Sequence, residues 1–205
     1  MKLYDENMPA PNPRKVRIFL AEKGITVPIE RVRMMKREHK SPEHMARNSL
    51  GQVPVLELDD GTFLSESIAI CRYFEALHPK PPLFGAGAKE QALIEMWIRR
   101  VEFRLWFPMG QAWVHDDPRT ASVVPHQFQD YGAFSRKVTA GAMRWLNAEM
   151  EDGRTWLAGE TYSMADIALL CGIDFARFVN MDMPEDARHL RAWHERASAR
   201  PSASA

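Results

Sequence analysis

The chain has 205 residues, of which 45% are hydrophobic, and its 27 basic residues balance its 27 acidic residues. This length is enough for one large domain or two small ones with a substantial buried core. The even charge balance argues against a nucleic-acid surface or a polybasic membrane patch, and no apolar run approaches membrane-spanning length. The amino-terminal sequence lacks the pattern of a signal peptide, so we expect a cytoplasmic protein.

Strand and helix patterns alternate through residues 1–80. Asn12 and Ser41 each precede a proline, a pattern that predicts a helix cap, and Ser65 is predicted to cap a third helix that runs to about His78. Strands are predicted at residues 2–4, 29–33, 55–58 and 63–64, and a turn at Asp59-Asp60-Gly61 joins the last two. This β-α-β-α-β-β-α order alone predicts an α/β sandwich.

Beyond the proline-rich residues 78–82, strand signals disappear and helical patterns continue to the end of the chain. Helices are predicted over residues 90–114, 127–149, 167–178 and 184–196. Ser163 and Asp166 have the spacing of a capping box at the start of the third of these, which is almost wholly apolar and predicted to be buried. The tail after Pro201 is predicted to be frayed.

Two short motifs suggest a binding site for a small anionic peptide. Val53-Pro54 lies just before an apolar strand, and a cis proline there would leave the Val53 N–H and C=O free to pair with an extended peptide. Glu66-Ser67 then opens a helix, where free backbone N–H groups and the helix dipole favour a carboxylate.

With these motifs the chain resembles the glutathione transferases over nearly its whole length. In the second half the resemblance rests on Leu157-Ala158-Gly159 and on the run from Tyr162 to Asp166. Residues 10–17 and 38–43 resemble a divergent fungal and bacterial branch. The resemblance implies a thioredoxin-like domain over residues 1–79, a linker over 80–88 and an all-helical domain over 89–205. It also implies a homodimer that uses glutathione as co-substrate.

The resemblance assigns most of the candidate contacts to glutathione. His39 and Lys40 would bind the glycyl carboxylate, and Gln52 would add a side-chain bond beside the Val53-Pro54 backbone. Ser67 would hold the γ-glutamyl carboxylate while Glu66 accepts from its ammonium group. Asp166 is assigned to folding, and no metal-ligand spacing is found.

The resemblance does not supply the usual group that activates the thiol, because Ala10 occupies the position of a catalytic Ser in related enzymes. Asn12 occupies the slot of a Cys in some members. Asn12 is predicted to cap the first helix. The free N–H groups of Arg14 and Lys15 would then face the sulfur; the alternative is that Asn12 is an N-cap with no role toward the thiol. Tyr4 is interpreted as a core aromatic with a satisfied hydroxyl.

His115 is the second candidate for the thiol, through a water or by orienting the electrophile. The alternative is a solvated histidine paired with Asp116 or Asp117.

Trp106, Phe107 and Trp113 are expected to line a pocket for a hydrophobic electrophile between the domains, although aromatics at helical spacing are more often core. Cys71 and Cys171 are interpreted as small buried hydrophobes. The predicted function is conjugation of glutathione to small hydrophobic electrophiles. A glutathione-dependent disulfide or peroxide reductase and a non-catalytic binding module are the alternatives.

Overall fold

The computed structural model describes residues 1–6 and 10–205. The chain divides into two compact units, one formed by Met1–Leu83 with Pro201–Ala205 and the other by Phe84–Arg200. The first is thioredoxin-like and the second is helical, as the family resemblance implied. The domain boundaries near residues 79 and 89 stay predictions.

A four-stranded mixed sheet forms the centre of the first unit. Its strands are β1 (Lys2–Asp5), β2 (Ile29–Arg31), β3 (Val55–Glu57) and β4 (Phe63–Ser65). The order across the sheet is β2-β1-β3-β4, with β1 and β2 parallel and the other neighbours antiparallel. The helices are α1 (Pro11–Lys23), α2 (Pro42–Arg47) and α3 (Ser67–Leu77). Leu3 pairs with Leu56 in the middle of the sheet, and both side chains are fully buried.

Two of the predicted helix starts are wrong, and the third is confirmed. Ser41 caps α2 by accepting a 3.2 Å hydrogen bond from the backbone N–H of His44. In α1 the N-cap is Ala10, because a proline fits the first helical position and Pro11 takes it two residues before Pro13 can. Ser65 is the last residue of β4, so α3 begins one residue later than predicted, after Glu66.

The second unit is built from a long helical segment and three further helices. Helix α4 (Ala88–Val101), a π-helical segment (Glu102–Trp106) and α5 (Phe107–Asp116) follow one another without a break where one long helix was predicted. They are followed by α6 (Gln129–Glu149), α7 (Met164–Phe178) and α8 (Arg188–Ser198). Residues 184–187 form a turn rather than the first turn of α8, since Ala187 N–H donates to the Pro184 carbonyl.

The capping box at the start of α7 is present and buried. The Asp166 carboxylate accepts from the N–H and hydroxyl of Ser163, from the N–H of Leu157 at 2.8 Å and from the indole of Trp193 at 2.9 Å. Burial raises the pKa of Asp166 above its ordinary value, against these hydrogen bonds, which lower it. Asp166 therefore joins three segments of the helical unit, which supports its assignment to folding.

The tail after Pro201 is not frayed, so that prediction is wrong. Pro201–Ser204 form a short 3₁₀ turn within the first unit, and the Ser202 side chain is buried. Ser202 donates to the Glu22 carboxylate, and the Arg14 guanidinium donates to the Ala203 carbonyl at 2.9 Å. These partners, which lie on α1, give the small polar tail an ordered place.

Both cysteines are buried, as predicted, and neither forms a disulfide bond. Within the described ranges, no helix combines the length and the apolar character needed to cross a membrane.

Candidate functional site

The candidate site residues of the first unit converge at one end of the sheet. Val55 is paired with Tyr4 of β1 on one side and with Ser65 of β4 on the other. Because β3 is antiparallel to both neighbours, its amino end lies beside the carboxyl ends of β1 and β4. Val53-Pro54 and Glu66-Ser67 therefore lie next to one another, at the sheet end where β1 leads toward α1.

The backbone of Val53 is available for pairing at this sheet end. The Val53-Pro54 peptide bond is cis, as the sequence predicted. The Val53 side chain is buried with those of Tyr4, Val32 and Val55. Among the described residues, none makes a hydrogen bond with the Val53 backbone N–H or C=O. An extended peptide lying alongside would supply the missing partners.

Two buried residues hold the peptide group that precedes Val53. The Gln52 carbonyl accepts from His44 Nε2 at 3.0 Å and from Asn48 Nδ2 at 3.1 Å. In a trans peptide the C=O and the following N–H point in opposite directions. Holding the Gln52 carbonyl toward His44 and Asn48 therefore directs the Val53 N–H away from them.

Sequence reasoning missed His44 and Asn48. The available signal was their spacing: both follow the Ser41 cap, and one is separated from the other by a single helical turn.

His39 and Lys40 lie against the same loop. A Cβ added to Gly51, whose φ is +56°, would lie 2.8 Å from the His39 carbonyl oxygen, so the two backbones are in close approach. The exposed Lys40 donates to the Leu50 carbonyl at 2.9 Å. His39 Nδ1 is buried and has no partner within the described ranges.

Electrostatics make His39 a neutral group in a positive environment. Burial lowers the pKa of His39 first, and the neighbouring charges of Lys40, His44 and Arg37 lower it further. A carboxylate placed here would relieve both the charge repulsion and the missing hydrogen bond of Nδ1.

Glu66 and Ser67 form the start of α3 in an uncommon backbone conformation. Glu66 has φ 69° and ψ 115°, a left-handed value that costs a non-glycine residue about 1–3 kcal/mol. Its side chain is exposed, whereas Ser67 is buried at the first helical position. The first N–H groups of α3 have no partner inside the helix, which makes this end suited to an anion.

At the start of α1 the structure corrects the predicted source of hydrogen bonds. The Arg14 N–H donates to the Ala10 carbonyl at 3.3 Å and is not free, and Lys15 lies one residue further into the helix. Pro11 and Pro13 have no N–H. Of residues 11–13, Asn12 is therefore the one with a backbone N–H. Its side chain is exposed and accepts a hydrogen bond from Lys15 Nζ at 2.9 Å.

Tyr4 is a core residue, as interpreted from the sequence. Its side chain is 2% exposed, and its hydroxyl donates to Glu57 Oε2 at 2.6 Å. Burial raises the pKa of Tyr4, and the hydrogen bond to Glu57 raises it further. The hydroxyl is therefore already committed and a poor partner for a thiol.

In the second unit, His115 lies in the last turn of α5 against aromatic rings. The imidazole centroid is 5.7 Å from that of Phe128 and 5.5 Å from that of Tyr131, and Nδ1 is buried without a partner in the described part of the chain. The alternative pairing of His115 with Asp116 or Asp117 is not found among the described residues. Those carboxylates pair instead with arginines, Asp116 with Arg136 and Asp117 with Arg119.

The three predicted pocket aromatics differ in their surroundings. Trp106 donates from its indole to the Ala168 carbonyl at 3.1 Å and stacks on Phe175, so it packs against α7. Trp113 meets the same Phe175 edge to face. Phe107 is 59% exposed and presents an apolar surface.

Comparison with known proteins establishes the class. The family model described as glutathione S-transferase, N-terminal domain, matches residues 10–77, and the corresponding C-terminal model matches residues 133–201. The chain belongs to the glutathione S-transferase family, whose members use glutathione as substrate.

Its similarity to individual members extends over almost the full length. It is 39% identical to glutathione S-transferase 2 of Saccharomyces cerevisiae, across 98% of this chain and 87% of that protein. It matches a glutathione S-transferase domain-containing protein of Marinobacter aquaeolei with a TM-score of 0.93, at 38% identity over 98% of this chain and 99% of the other. Gtt2 from Saccharomyces cerevisiae matches with a TM-score of 0.92, at 38% identity over 100% and 99% of the two chains. These relatives are fungal and bacterial, as the sequence indicated.

Proposed function

We propose that this chain is a glutathione transferase that joins the glutathione thiolate to small hydrophobic electrophiles. The proposal rests on three features that converge at one sheet end: the Val53 backbone, which no described residue pairs with, the helix start at Ser67, and the positive segment at His39 and Lys40. Glutathione has an extended backbone and a carboxylate at each end. These groups match the free hydrogen bonds and the charges of the site.

The proposed contacts follow the tripeptide from its glycyl end to its γ-glutamyl end. The glycyl carboxylate binds the positive segment, the cysteinyl backbone pairs with the strand edge, and the γ-glutamyl group binds the start of α3 with its ammonium on Glu66. In chain order, the contacting residues are His39, Lys40, Gln52, Val53, Pro54, Glu66 and Ser67. No metal is part of this proposal.

The thiol is proposed to be activated by hydrogen bonding rather than by a protein hydroxyl or thiol. Tyr4 is committed to Glu57, and Ala10 has no hydroxyl. Asn12 is the proposed donor to the sulfur. His115, whose Nδ1 lacks a partner among the described residues, is proposed to hold a water or to orient the electrophile. Hydrogen bonds to the charged form lower a pKa.

The electrophile is proposed to bind to aromatic surface of the helical unit, with Phe107, Trp106 and Trp113 as contacts. Phe107 offers an exposed ring, and the other two are held by their packing on Phe175.

The protein is further proposed to act as a cytoplasmic homodimer, as its family membership supports. Light scattering at micromolar concentration tests the dimer, and a monomer mass would contradict it.

Three assays separate the proposed function from its alternatives: calorimetric titration with glutathione, conjugation of a halo-aromatic electrophile, and reduction of hydroxyethyl disulfide. We expect binding, and faster conjugation than disulfide reduction. Ser67→Ala should weaken glutathione binding while changing turnover of the bound complex little, because its contact is remote from the sulfur. Ser198→Ala, which removes an exposed hydroxyl at the end of α8, is the matched control.

Three other outcomes of these assays would contradict the proposed function. Disulfide reduction without conjugation would indicate the reductase, and binding without either reaction would indicate a binding module. No measurable binding would contradict the proposed site itself.

Thiol activation is tested by the ultraviolet absorbance of the bound thiolate against pH. Asn12→Ala and His115→Ala should each raise the pKa of the bound thiol, whereas Tyr4→Phe should leave it near the wild-type value. If Tyr4→Phe abolishes the thiolate and the other two variants retain it, the enzyme activates glutathione through tyrosine and the proposed assignment is wrong.

A further inference from the structure

Lys15 has a buried side chain for which the sequence predicted no role. Its side chain is 3% exposed, although lysine is almost never fully buried unless it is paired. Its ammonium nitrogen lies 2.9 Å from Oδ1 of Asn12, three residues earlier on α1. Residues with this spacing lie on the same face of a helix. A buried ammonium group thus lies directly behind the residue proposed to face the thiol.

This contact fixes which way the Asn12 amide is turned. An ammonium group has donors and no acceptor, so the amide atom that it contacts must be the oxygen. The amide nitrogen then lies on the other branch of the planar group. Asn12 is exposed, and its Nδ2 donates to none of the residues that the structure describes. No described residue therefore competes with a ligand for these two N–H bonds.

The rest of the first turn offers little else to a sulfur. Pro11 and Pro13 lack an N–H, and the Arg14 N–H is bonded to Ala10. The donors that residues 11–13 can present are therefore the backbone and side-chain N–H groups of Asn12. If the Asn12 amide were free to turn, its carbonyl oxygen would face the sulfur part of the time and repel a thiolate.

We propose that Lys15 is a positioning residue for glutathione activation, which holds the Asn12 oxygen so that the Asn12 amide N–H groups face the sulfur. This inference rests on the proposed function, in which Asn12 is the donor. Lys15 acts through Asn12 and makes no contact with the substrate.

A double-mutant cycle on the bound thiol tests this coupling. The thiolate absorbance of bound glutathione is titrated in wild type, Lys15→Met, Asn12→Ala and the double variant. Methionine is long and apolar, so it fills the buried site without a donor or a charge. We expect Lys15→Met to raise the thiol pKa by up to about one unit, within the range of one hydrogen bond to a charged group. In the Asn12→Ala background the same substitution should have no further effect.

Lys15→Gln separates positioning from charge, and also serves if Lys15→Met does not fold. Glutamine keeps an N–H donor for the Asn12 oxygen and removes the positive charge. Positioning predicts a thiol pKa near that of wild type. A shift as large as that of Lys15→Met would mean that the charge acts on the thiolate itself, and would overturn the proposal. Circular dichroism and the glutathione affinity report whether each variant retains its fold.

The other outcomes distinguish the inference from the function on which it rests. Equal shifts from Lys15→Met with and without Asn12 would overturn the coupling. If Asn12→Ala raises the thiol pKa and Lys15→Met does not, the role of Lys15 is contradicted and that of Asn12 is supported. If Asn12→Ala changes nothing, both roles fall, although glutathione binding and conjugation are measured separately and stand on their own assays.

Discussion

His39 gives the candidate site a pH dependence whose sign follows from its surroundings. Burial, and then the charges of Lys40, His44 and Arg37, hold its pKa below the ordinary 6.5, so the imidazole is neutral at neutral pH. A glutathione carboxylate against His39 would favour the charged form and raise this pKa in the complex. S-methylglutathione has no thiol to titrate, so its binding takes up a proton at His39 alone. Its affinity should increase as the pH falls from about 8 to 6, by at most about tenfold for each unit by which the pKa of His39 rises.

Calorimetry in two buffers of different ionisation enthalpy measures this proton uptake directly. His39→Gln should bind more weakly at low pH and lose the dependence. Lys40→Gln is the matched comparison: lysine is charged throughout this range, so its loss should weaken binding about equally at every pH. A wild-type affinity that does not change with pH would contradict the role of His39. In the free protein the lowered pKa has the opposite consequence, and stability should decrease as the pH falls below 6.5.

Glu66 stores backbone strain that a pair of substitutions can measure. At φ 69° an alanine keeps the strain, whereas glycine adopts this conformation readily. We expect Glu66→Gly to be more stable than Glu66→Ala by about 1 kcal/mol in urea denaturation, with both variants weakened in glutathione binding. At Glu43, in the first turn of α2, the order should reverse because glycine is the poorer helix former. The same order at both positions would show that Glu66 is not strained.

At the residue scale, the sequence predicted the residues of the candidate site whose type carries a motif. Val53-Pro54 and Glu66-Ser67 lie together because β3 and β4 pair with each other. The sequence predicted that pairing through the turn at Asp59-Asp60-Gly61, but not its register. The roles of the Lys15 side chain, His44 and Asn48 were not predicted. Their importance lies in partners several residues away, Asn12 and the Gln52 carbonyl, and no local pattern reveals such partners.

At the scale of elements, Gly132 sets how closely α6 approaches α5 at His115. A Cβ on Gly132 would lie 2.5 Å from the Asp116 Cβ and 2.9 Å from the His115 carbonyl carbon. Backbone atoms cannot move aside at small cost, so Gly132→Ala should destabilise the protein by about 1–3 kcal/mol. Gly141 lies in the same helix with nothing within 4 Å of its built Cβ. Gly141→Ala should therefore stabilise by up to about 1 kcal/mol. Urea denaturation of both variants checks the contrast, and equal midpoints would contradict it.

Most elements were predictable because local chemistry and long-range packing agree in them. The Ser41 cap of α2 and the apolar pattern of α7 are examples. The start of α1 was misplaced because two prolines, Pro11 and Pro13, both suit a first helical position and the sequence gives no reason to prefer one. The π-helical segment Glu102–Trp106 keeps a helical pattern, so the sequence did not distinguish it from an ordinary helix.

At the scale of the whole molecule, the two-part architecture was predictable from the loss of strand patterns after residue 82, but the course of the tail was not. Residues 201–205 are small and polar, which is typical of a frayed end. They are ordered because Arg14 and Glu22, far away in sequence, supply hydrogen-bond partners to Ala203 and Ser202. Composition carries no information about such contacts.

The tail should therefore stabilise the first unit through α1. Removing residues 201–205 deletes the hydrogen bonds to Glu22 and Arg14 and exposes the surface that Ser202 covers. At about 1 kcal/mol for each hydrogen bond, the loss should be about 1–3 kcal/mol in urea denaturation. Removing the exposed Ala205 alone is the matched control and should change stability little.

The truncation should also affect the thiol. Because Arg14 follows Asn12 by two residues, the truncated chain should hold the first turn of α1 less firmly, and the pKa of the bound glutathione thiol should be higher. Unchanged stability and an unchanged thiol pKa in the truncated protein would show that the tail merely rests on α1.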